Sequence, residues 1–278
     1  MTIEKTIKQA LLEDLGNADY SSLACVDESI TGKMKLIAKD AGIIAGIDVA
    51  RMALYQVDPT VMMEAFMKDG DEIKHDDVVF AVKGPARSLL AAERTLLNFV
   101  QRMSGIATAT RQYVTLLKGY KTKLLDTRKT TPNMRAFEKY AVSVGGAENH
   151  RFGLFDMIIL KDNHIDFAGG IELAIDKTRE YLNKRELKMM VEIETRNLQE
   201  VAQVVARGGV NRIMLDNFSP DEIREALKMI NGKYETEASG AITLSNLKEY
   251  AETGVDYISI GAFTHQIKSL DLSLKYFK

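Results

Sequence analysis

The segment LLDTRKTTPNMRAFEKYAVSVGGAENHRFGLFDMIILKDNH concentrates cationic side chains away from any solvated helix face. Arg128, Lys129, His150, Arg151 and Lys161 fall in loops or at the ends of apolar runs, whereas Arg135 and Lys139 lie in the helical stretch MRAFEKYAV and read as surface charges. Arginine offers a planar fork for carboxylate or phosphate, and lysine a compact point charge, so the set predicts a polyanionic ligand. Glu192, Glu194 and Asp216, on later strand ends, oppose this basic half. Carboxylates beside bound phosphates either hold a divalent cation or stabilise positive charge that develops during reaction. Glu192 and Glu194 alternate on one strand and so face the same way. EASGAIT and ISIGAFTH then bring small residues, Ser239, Gly240, Gly261 and Ala262, whose backbone N–H groups suit a phosphate, with His265 near them as a further donor. Gly145 and Gly146, ahead of His150, leave room for backbone to approach a ligand.

Regular elements must deliver these positions. From residue 122 the chain repeats a short apolar run, a polar cluster and an amphipathic helix; the runs are KLLD, DMIILKD, KMMVEIE, NRIMLD, YETEASG and DYISIG. Strands alternating with helices imply right-handed crossovers and a parallel sheet, and this many units point to an α/β (TIM-like) barrel. Each polar cluster follows its apolar run, which puts all of them on the C-terminal rim, where active sites of this architecture lie. Up to about residue 105 the pattern is mixed. MKLIAKDAGIIAG, VMMEAFMKDGDEI and VVFAVKGP read as short strands between Gly and Asp turns, with a helix near IDVARMALYQV. After Pro85 the period is helical, with a break expected at Ser104 and Gly105. The expected domains are therefore 1–105 and 106–266, with the tail 267–278 packing back on the first.

Composition narrows the function. The chain has 278 residues, 46% hydrophobic and 27% charged, and its 37 Lys+Arg against 39 Asp+Glu give a net charge of −2. This excludes a disordered chain and argues against a general nucleic-acid binder, which needs surplus cations to neutralise phosphates. No apolar run reaches membrane-spanning length, and MTIEKTIKQALLEDLG is an amphipathic helix rather than a signal peptide. A single cysteine, Cys25, excludes an intrachain disulfide and points to a reducing compartment, the cytoplasm; it is expected as a packed small hydrophobe. There is no GxxxxGK[ST] loop, no GxSxG elbow, and no motif for a tightly bound organic cofactor.

AERTLLNFVQRMSGIATAT, DTRKTTP, EKYAV followed by GG and NHR, LKDNHI, VEIET, IMLDN, EASG and DYISIGA run in order through nearly the whole chain and closely resemble the quinolinate phosphoribosyltransferase family. The resemblance implies an N-terminal α/β sandwich domain plus a C-terminal α/β barrel. It implies transfer of the phosphoribosyl group of phosphoribosyl pyrophosphate to quinolinate with decarboxylation, giving nicotinate mononucleotide, pyrophosphate and carbon dioxide in NAD biosynthesis. Magnesium with the donor, and a homodimer or higher homo-oligomer, belong to the same expectation, with no nucleic acid or membrane partner. Arg128, His150, Arg151 and Lys161, with Thr127 beside them, match residues that hold the quinolinate carboxylates. Arg94, in AERT, matches an arginine that enters the neighbouring subunit's site. Lys129, Glu192, Asp216, Ser239, Gly240, Gly261 and His265 match positions around the donor, with Ala262 next to them. Lys129, Lys161, Glu192 and Asp216 form the expected catalytic set, and Glu192 and Asp216 the magnesium ligands, direct or through water.

Three departures stand out. Ala18, Asp19, Tyr20, Ser21 and Ser22 replace the usual Gly-Asp-Ile-Thr-Ser; Asn133 and Ala147 occupy usual glycine positions; and Ala241 replaces a glycine of the phosphate loop. Asn tolerates left-handed backbone, and Ala241 is expected to keep a negative φ. Two rival readings are a lyase using Lys161 as a Schiff base and a catalytically silent paralogue related to molybdate uptake. The intact DTRKTTP and NHR segments oppose the latter.

Overall fold

The computed structural model describes residues 2–278. In chain order the first elements are α1 (Ile3–Leu15), α2 (Tyr20–Cys25), β1 (Thr31–Ala38), β2 (Gly42–Ile43), α3 (Ile47–Val57), β3 (Met62–Ala65), β4 (Glu72–Ile73), β5 (Val78–Pro85) and α4 (Ala86–Leu116). There follow β6 (Lys123–Leu125), α5 (Arg135–Gly145), β7 (Ile158–Leu160), α6 (Asp162–Ala168), α7 (Ile171–Lys184), β8 (Val191–Thr195), α8 (Leu198–Arg207), β9 (Arg212–Asp216) and α9 (Pro220–Ile230). The last are β10 (Glu235–Ser239), α10 (Leu247–Ala251), β11 (Tyr257–Ser259), α11 (Ala262–His265) and β12 (Leu272–Tyr276). Two compact units divide the chain. The first holds the residues up to Gln112, Thr130–Gly146 and Ala262–Lys278; the second holds Tyr113–Lys129 and Ala147–Gly261.

The first unit contains a four-stranded sheet in the order β12-β1-β5-β3, antiparallel throughout, and a small β2-β4 pair. In β1 the period-two pattern TGKMKLIA buries Met34, Leu36 and Ala38 on one face. The α4 helix is tied to this unit by polar side chains on its buried face. Ser104 Oγ accepts from the Ala45 amide at 3.0 Å, Thr108 Oγ1 from the Ile43 amide at 2.8 Å, and Gln101 Nε2 donates to the Leu272 carbonyl at 2.9 Å. The break expected at Ser104 and Gly105 is absent: α4 runs through both. These small residues serve packing instead, since a Cβ at position 105 would collide with the Lys268 carbonyl.

Residues Arg135–Gly145 also belong to the first unit, and this corrects the surface reading of Lys139, which is only 3% exposed. The α5 helix packs closely on α4, with the Phe137 and Phe99 rings 4.8 Å apart and a Cβ at Gly145 placed 2.5 Å from that of Thr110. Gly145 thus admits a helix contact, and Gly146, at φ +103°, ends the helix. Glu138, fully buried, takes the Arg102 guanidinium at 2.6 and 2.8 Å and the Thr131 amide at 3.1 Å. Cys25 is exposed rather than packed, because α2 is a six-residue helix that buries only Ser22.

The second unit is a six-stranded parallel sheet in the order β6-β11-β10-β9-β8-β7, the strands of an α/β barrel. All five residues of β8, VEIET, are buried, as befits a strand covered on both faces. Helix starts follow closely on strand ends. Asn197 caps α8 by accepting the Glu200 amide, and Ser219 with Glu222 forms a capping box ahead of Pro220 at α9. Loops of a few residues at the rim are the result. Among the described residues no helix is long and apolar enough to cross a membrane.

Candidate active site

The C-terminal ends of the barrel strands enclose a cleft of about 600 Å³ within the second unit. Thr127, Arg128, Lys129, His150, Arg151, Lys161, Asp216, Ser239 and Gly240, all predicted from sequence, line it. Sheet register explains the clustering. Inward-facing residues form levels along the strands, with Glu192 beside Arg212 and Glu235, then Glu194 beside Met214 and Glu237, then Asp216 beside Ser239.

One level separates Glu192 from the cleft. Glu192 is fully buried and does not line it, whereas Glu194, two residues further along β8, does. Glu194 accepts from Lys161 Nζ at 2.8 Å. That ion pair, with Lys161 46% exposed, is not the apolar pocket a Schiff-base lysine requires. Gly261 is outside the lining. Arg94, Ala262 and His265 belong to the first unit: Arg94 is exposed on α4, and Ala262 and His265 begin and end α11.

Arg128 and Arg151 supply positive charge that the protein leaves partly unsatisfied. Arg151 is 8% exposed and donates from Nη1 to the Met157 carbonyl at 3.0 Å. The Nε atoms of both arginines are buried without a hydrogen-bond partner. Burial, then the charge of Arg128, push the pKa of Arg151 below its ordinary value. Two guanidiniums lining one cleft are complementary to a ligand with more than one negative group.

Beneath them, His150 Nε2 stands 3.1 Å from a carboxylate oxygen of Glu237 and 3.1 Å from one of Glu192. Arg212 reaches Glu237 at 3.1 Å and Glu235 at 2.9 Å, with its guanidinium 4.0 Å from the Tyr257 ring centroid. Burial and the nearby Glu237 charge lift Glu192 to about 7; at Glu237 burial is opposed by the hydrogen bond and charge of His150 together with Ser259 and Arg212, which jointly hold it below its ordinary value. At His150 burial opposes charge, and the two carboxylates outweigh it, favouring the imidazolium up to about 9. The Arg151 amide, however, donates to Nδ1 at 2.7 Å, which only a neutral ring accepts. The conformation described is therefore that of the neutral Nε2–H tautomer. Sequence reading passed over Glu237 and Arg212; the period-two step back from Ser239 was the signal for Glu237.

At the opposite strand ends, Asn217 donates from Nδ2 to Asp216 at 2.7 Å, and its amide bonds the Ser239 carbonyl at 2.8 Å. Asn217, Gly240 and Ala241 have φ of +59°, +97° and +51°. The expectation for Ala241 is thus overturned: it adopts the left-handed conformation that a glycine would take at less cost, and its carbonyl accepts from Asn246 Nδ2 at 3.2 Å. Asn133, at φ +63°, does take the left-handed conformation that Asn tolerates, and Ala147 has no positive φ.

The description "Quinolinate phosphoribosyl transferase, N-terminal domain" matches residues 19–104, and "Quinolinate phosphoribosyl transferase, C-terminal domain" matches residues 106–275. The chloroplastic nicotinate-nucleotide pyrophosphorylase (carboxylating) of Oryza sativa is 44% identical over 98% of this chain and 77% of its own length. A probable nicotinate-nucleotide pyrophosphorylase (carboxylating) of Bacillus subtilis is 41% identical over 99% of this chain and 93% of its own. The crystal structure of NadC from Streptococcus pyogenes superposes with a TM-score of 0.93 at 43% identity, covering 99% of this chain and 97% of that one.

Proposed function

Because the chain belongs to the quinolinate phosphoribosyltransferase family, we infer that it transfers the phosphoribosyl group of phosphoribosyl pyrophosphate to quinolinate, releasing pyrophosphate and carbon dioxide and forming nicotinate mononucleotide for NAD synthesis. The observation that carries the chemistry to this cleft is the pair of buried, partnerless Nε donors on Arg128 and Arg151. Quinolinate brings two carboxylates, and these two guanidiniums, with Lys161 and His150 beside them and Thr127 at the rim, suit that end of the cleft.

The donor's phosphates suit the turn of Ser239, Gly240 and Ala241, with Lys129 across the cleft. Asp216 and Glu194 stand on β9 and β8, between the Ser239 turn that ends β10 and Lys161 after β7 in sheet order. The pyridine nitrogen attacks the anomeric carbon while pyrophosphate departs with the bonding electrons. Positive charge on the ribose then develops near Asp216, whose carboxylate favours it. With the nitrogen quaternary, the ring accepts the electrons freed when the adjacent carboxylate leaves as carbon dioxide, and the ring carbon takes up a proton. Arg128 and Arg151 serve this last step by orientation and exclusion of water.

The cleft fits a magnesium ion carried by the donor, since Asp216 lines it and magnesium needs only one or two protein carboxylates beside phosphates and water. Glu192 does not fit, being sealed a level below. Bound with the donor, the ion would neutralise charge on the departing pyrophosphate. Arg94, exposed on α4, is assigned to the cleft of a neighbouring subunit in a homodimer or higher homo-oligomer. The single cysteine supports the cytoplasm as the compartment.

A coupled assay for nicotinate mononucleotide tests the reading, with quinolinate and nicotinate offered separately beside the donor. Turnover with quinolinate alone is expected. Turnover with nicotinate alone overturns it.

A further inference from the structure

The interior of an α/β barrel is ordinarily filled by Val, Ile and Leu. Here Glu192, Arg212 and Glu237 occupy it, none more than 8% exposed. Burying ionised groups is unfavourable by several kcal/mol for each ion unless partners compensate, and an apolar core of equal volume is commonly as stable or more so. Stability alone therefore gives no reason for this layer. Its geometry does, because Glu192 and Glu237 both come within 3.1 Å of one ring in the cleft, and Arg212 holds Glu237.

That ring is His150. Its main chain is held by the buried carboxylate of Asp126, which accepts the His150 amide at 2.7 Å. Its Nδ1 accepts the Arg151 amide at 2.7 Å, and its Nε2 donates to Glu237 at 3.1 Å. Arg128 and Arg151 share the cleft wall with it, and Glu192 and Glu237 face it from β8 and β10. Glu237 is itself immobilised: the oxygen that takes the imidazole proton also takes Arg212 Nη1 at 3.1 Å. Arg212 in turn is clamped by two contacts to Glu235 and by the Tyr257 ring.

We propose that Glu237 is a positioning residue for the transfer reaction, fixing through its hydrogen bond the tautomer and ring plane of His150, and with them the Arg151 amide, at the end of the cleft that takes the acceptor's carboxylates. The proposal rests on the reading of that end as the quinolinate site. A ring nitrogen whose partner is fixed determines what the other nitrogen can do. With Nε2 committed to Glu237, Nδ1 is an acceptor and draws in the Arg151 amide, so the backbone that carries the second guanidinium is set by a carboxylate in the wall of the cleft.

Glu237→Leu removes the acceptor at nearly constant volume, while Glu237→Gln keeps it. An amide oxygen replaces the carboxylate oxygen that bonds both His150 and Arg212, and the amide nitrogen replaces the oxygen that has no partner. In the full-length enzyme, Glu237→Leu is expected to raise KM for quinolinate about tenfold or more, with KM for phosphoribosyl pyrophosphate changed less than about threefold, and Glu237→Gln to recover most of the loss. Equal rises in both KM values, an unchanged KM for quinolinate, or no recovery with Gln would each overturn the proposal. The histidine ring spectrum of the 15N-labelled wild type, assigned with His150→Asn, gives a second readout independent of whether the Leu variant folds. Above about pH 9, where the neutral ring is populated, an Nε2–H tautomer is expected, and an Nδ1–H tautomer or a ring still protonated at both nitrogens overturns the assignment. Wild-type turnover of quinolinate is the control: its absence refutes the reading of the cleft, whereas its presence with unmoved variants refutes the role of Glu237.

Discussion

Asn217 packs against Gly240 so closely that residue 240 has no room for a Cβ. The contact unites two strand ends of the barrel, because Asn217 also bonds Ser239 through its amide and Asp216 through its side chain. Gly240→Ala must displace Asn217 and in addition hold φ at +97°. We expect a stability loss of about 1–3 kcal/mol and a rise of about tenfold or more in KM for phosphoribosyl pyrophosphate. Denaturant unfolding and steady-state kinetics measure the two; a variant unchanged in both contradicts the packing argument.

Ala241 stands at φ +51°, where a Cβ is unfavourable by about 1–2 kcal/mol. Glycine at this position relieves that strain but enlarges the freedom of the unfolded chain by up to about 1 kcal/mol. Ala241→Gly should therefore be neutral to stabilising, by at most about 1 kcal/mol. A clear loss of unfolding free energy would contradict it.

Glu138 pairs with the Arg102 guanidinium and also holds the Thr131 amide. Glu138→Ala leaves the half-buried guanidinium without that counter-charge, held by the neutral Thr131 hydroxyl and Thr264 carbonyl, and removes the acceptor of the Thr131 amide, so a loss of about 3 kcal/mol is expected. Thermal unfolding checks this, and a loss within the range of ordinary surface changes refutes it.

Glu192 gives the fold a pH dependence of defined sign. Its folded pKa is raised from 4.5 to about 7 by burial and by Glu237. Between those values the folded state keeps a proton that the unfolded chain has released. This contribution is thus favourable at acid pH, declines as pH rises from 4.5 through about 7, and leaves a full penalty above. Glu192→Gln should be more stable than wild type by about 1 kcal/mol or more at pH 8 and little different at pH 5. Equal effects at both pH values would show that Glu192 does not titrate in this window.

Arg94→Ala and Lys161→Ala should each abolish turnover. If Arg94 serves a neighbour, random dimers mixed from the two inactive variants regain about a quarter of wild-type activity, since half are hybrids with one intact site each. No recovery, in mixtures proven to exchange subunits, removes Arg94 from the neighbour's site.

The rim of the barrel was legible because each apolar run ends in a polar cluster, and strand polarity alone sends those clusters to one end. Depth within the barrel was not. Glu192 and Glu194 share a face by period two, and only register, which pairs Glu194 with Met214 and Glu192 with Arg212, says which one reaches the cleft. Lys139 read as exposed because its burial comes from tertiary packing that helical periodicity does not contain. Ser104 and Gly105 read as a break because their partners, Ala45 and Lys268, are distant in sequence. Position 240 must stay free of a Cβ because Asn217, which follows another strand, fills that space, and no local pattern contains it.

The antiparallel ladder between β1 and β12 bears on biosynthesis. Ala38 meets Leu272, so β1 lacks one neighbour until almost the entire chain has left the ribosome. The first unit therefore cannot complete its sheet ahead of the second, as an amino-terminal unit commonly does during translation. In the interval β1 is an open edge, a template for pairing with other chains, and its Lys33 and Lys35 are the kind of charged residue that discourages such pairing.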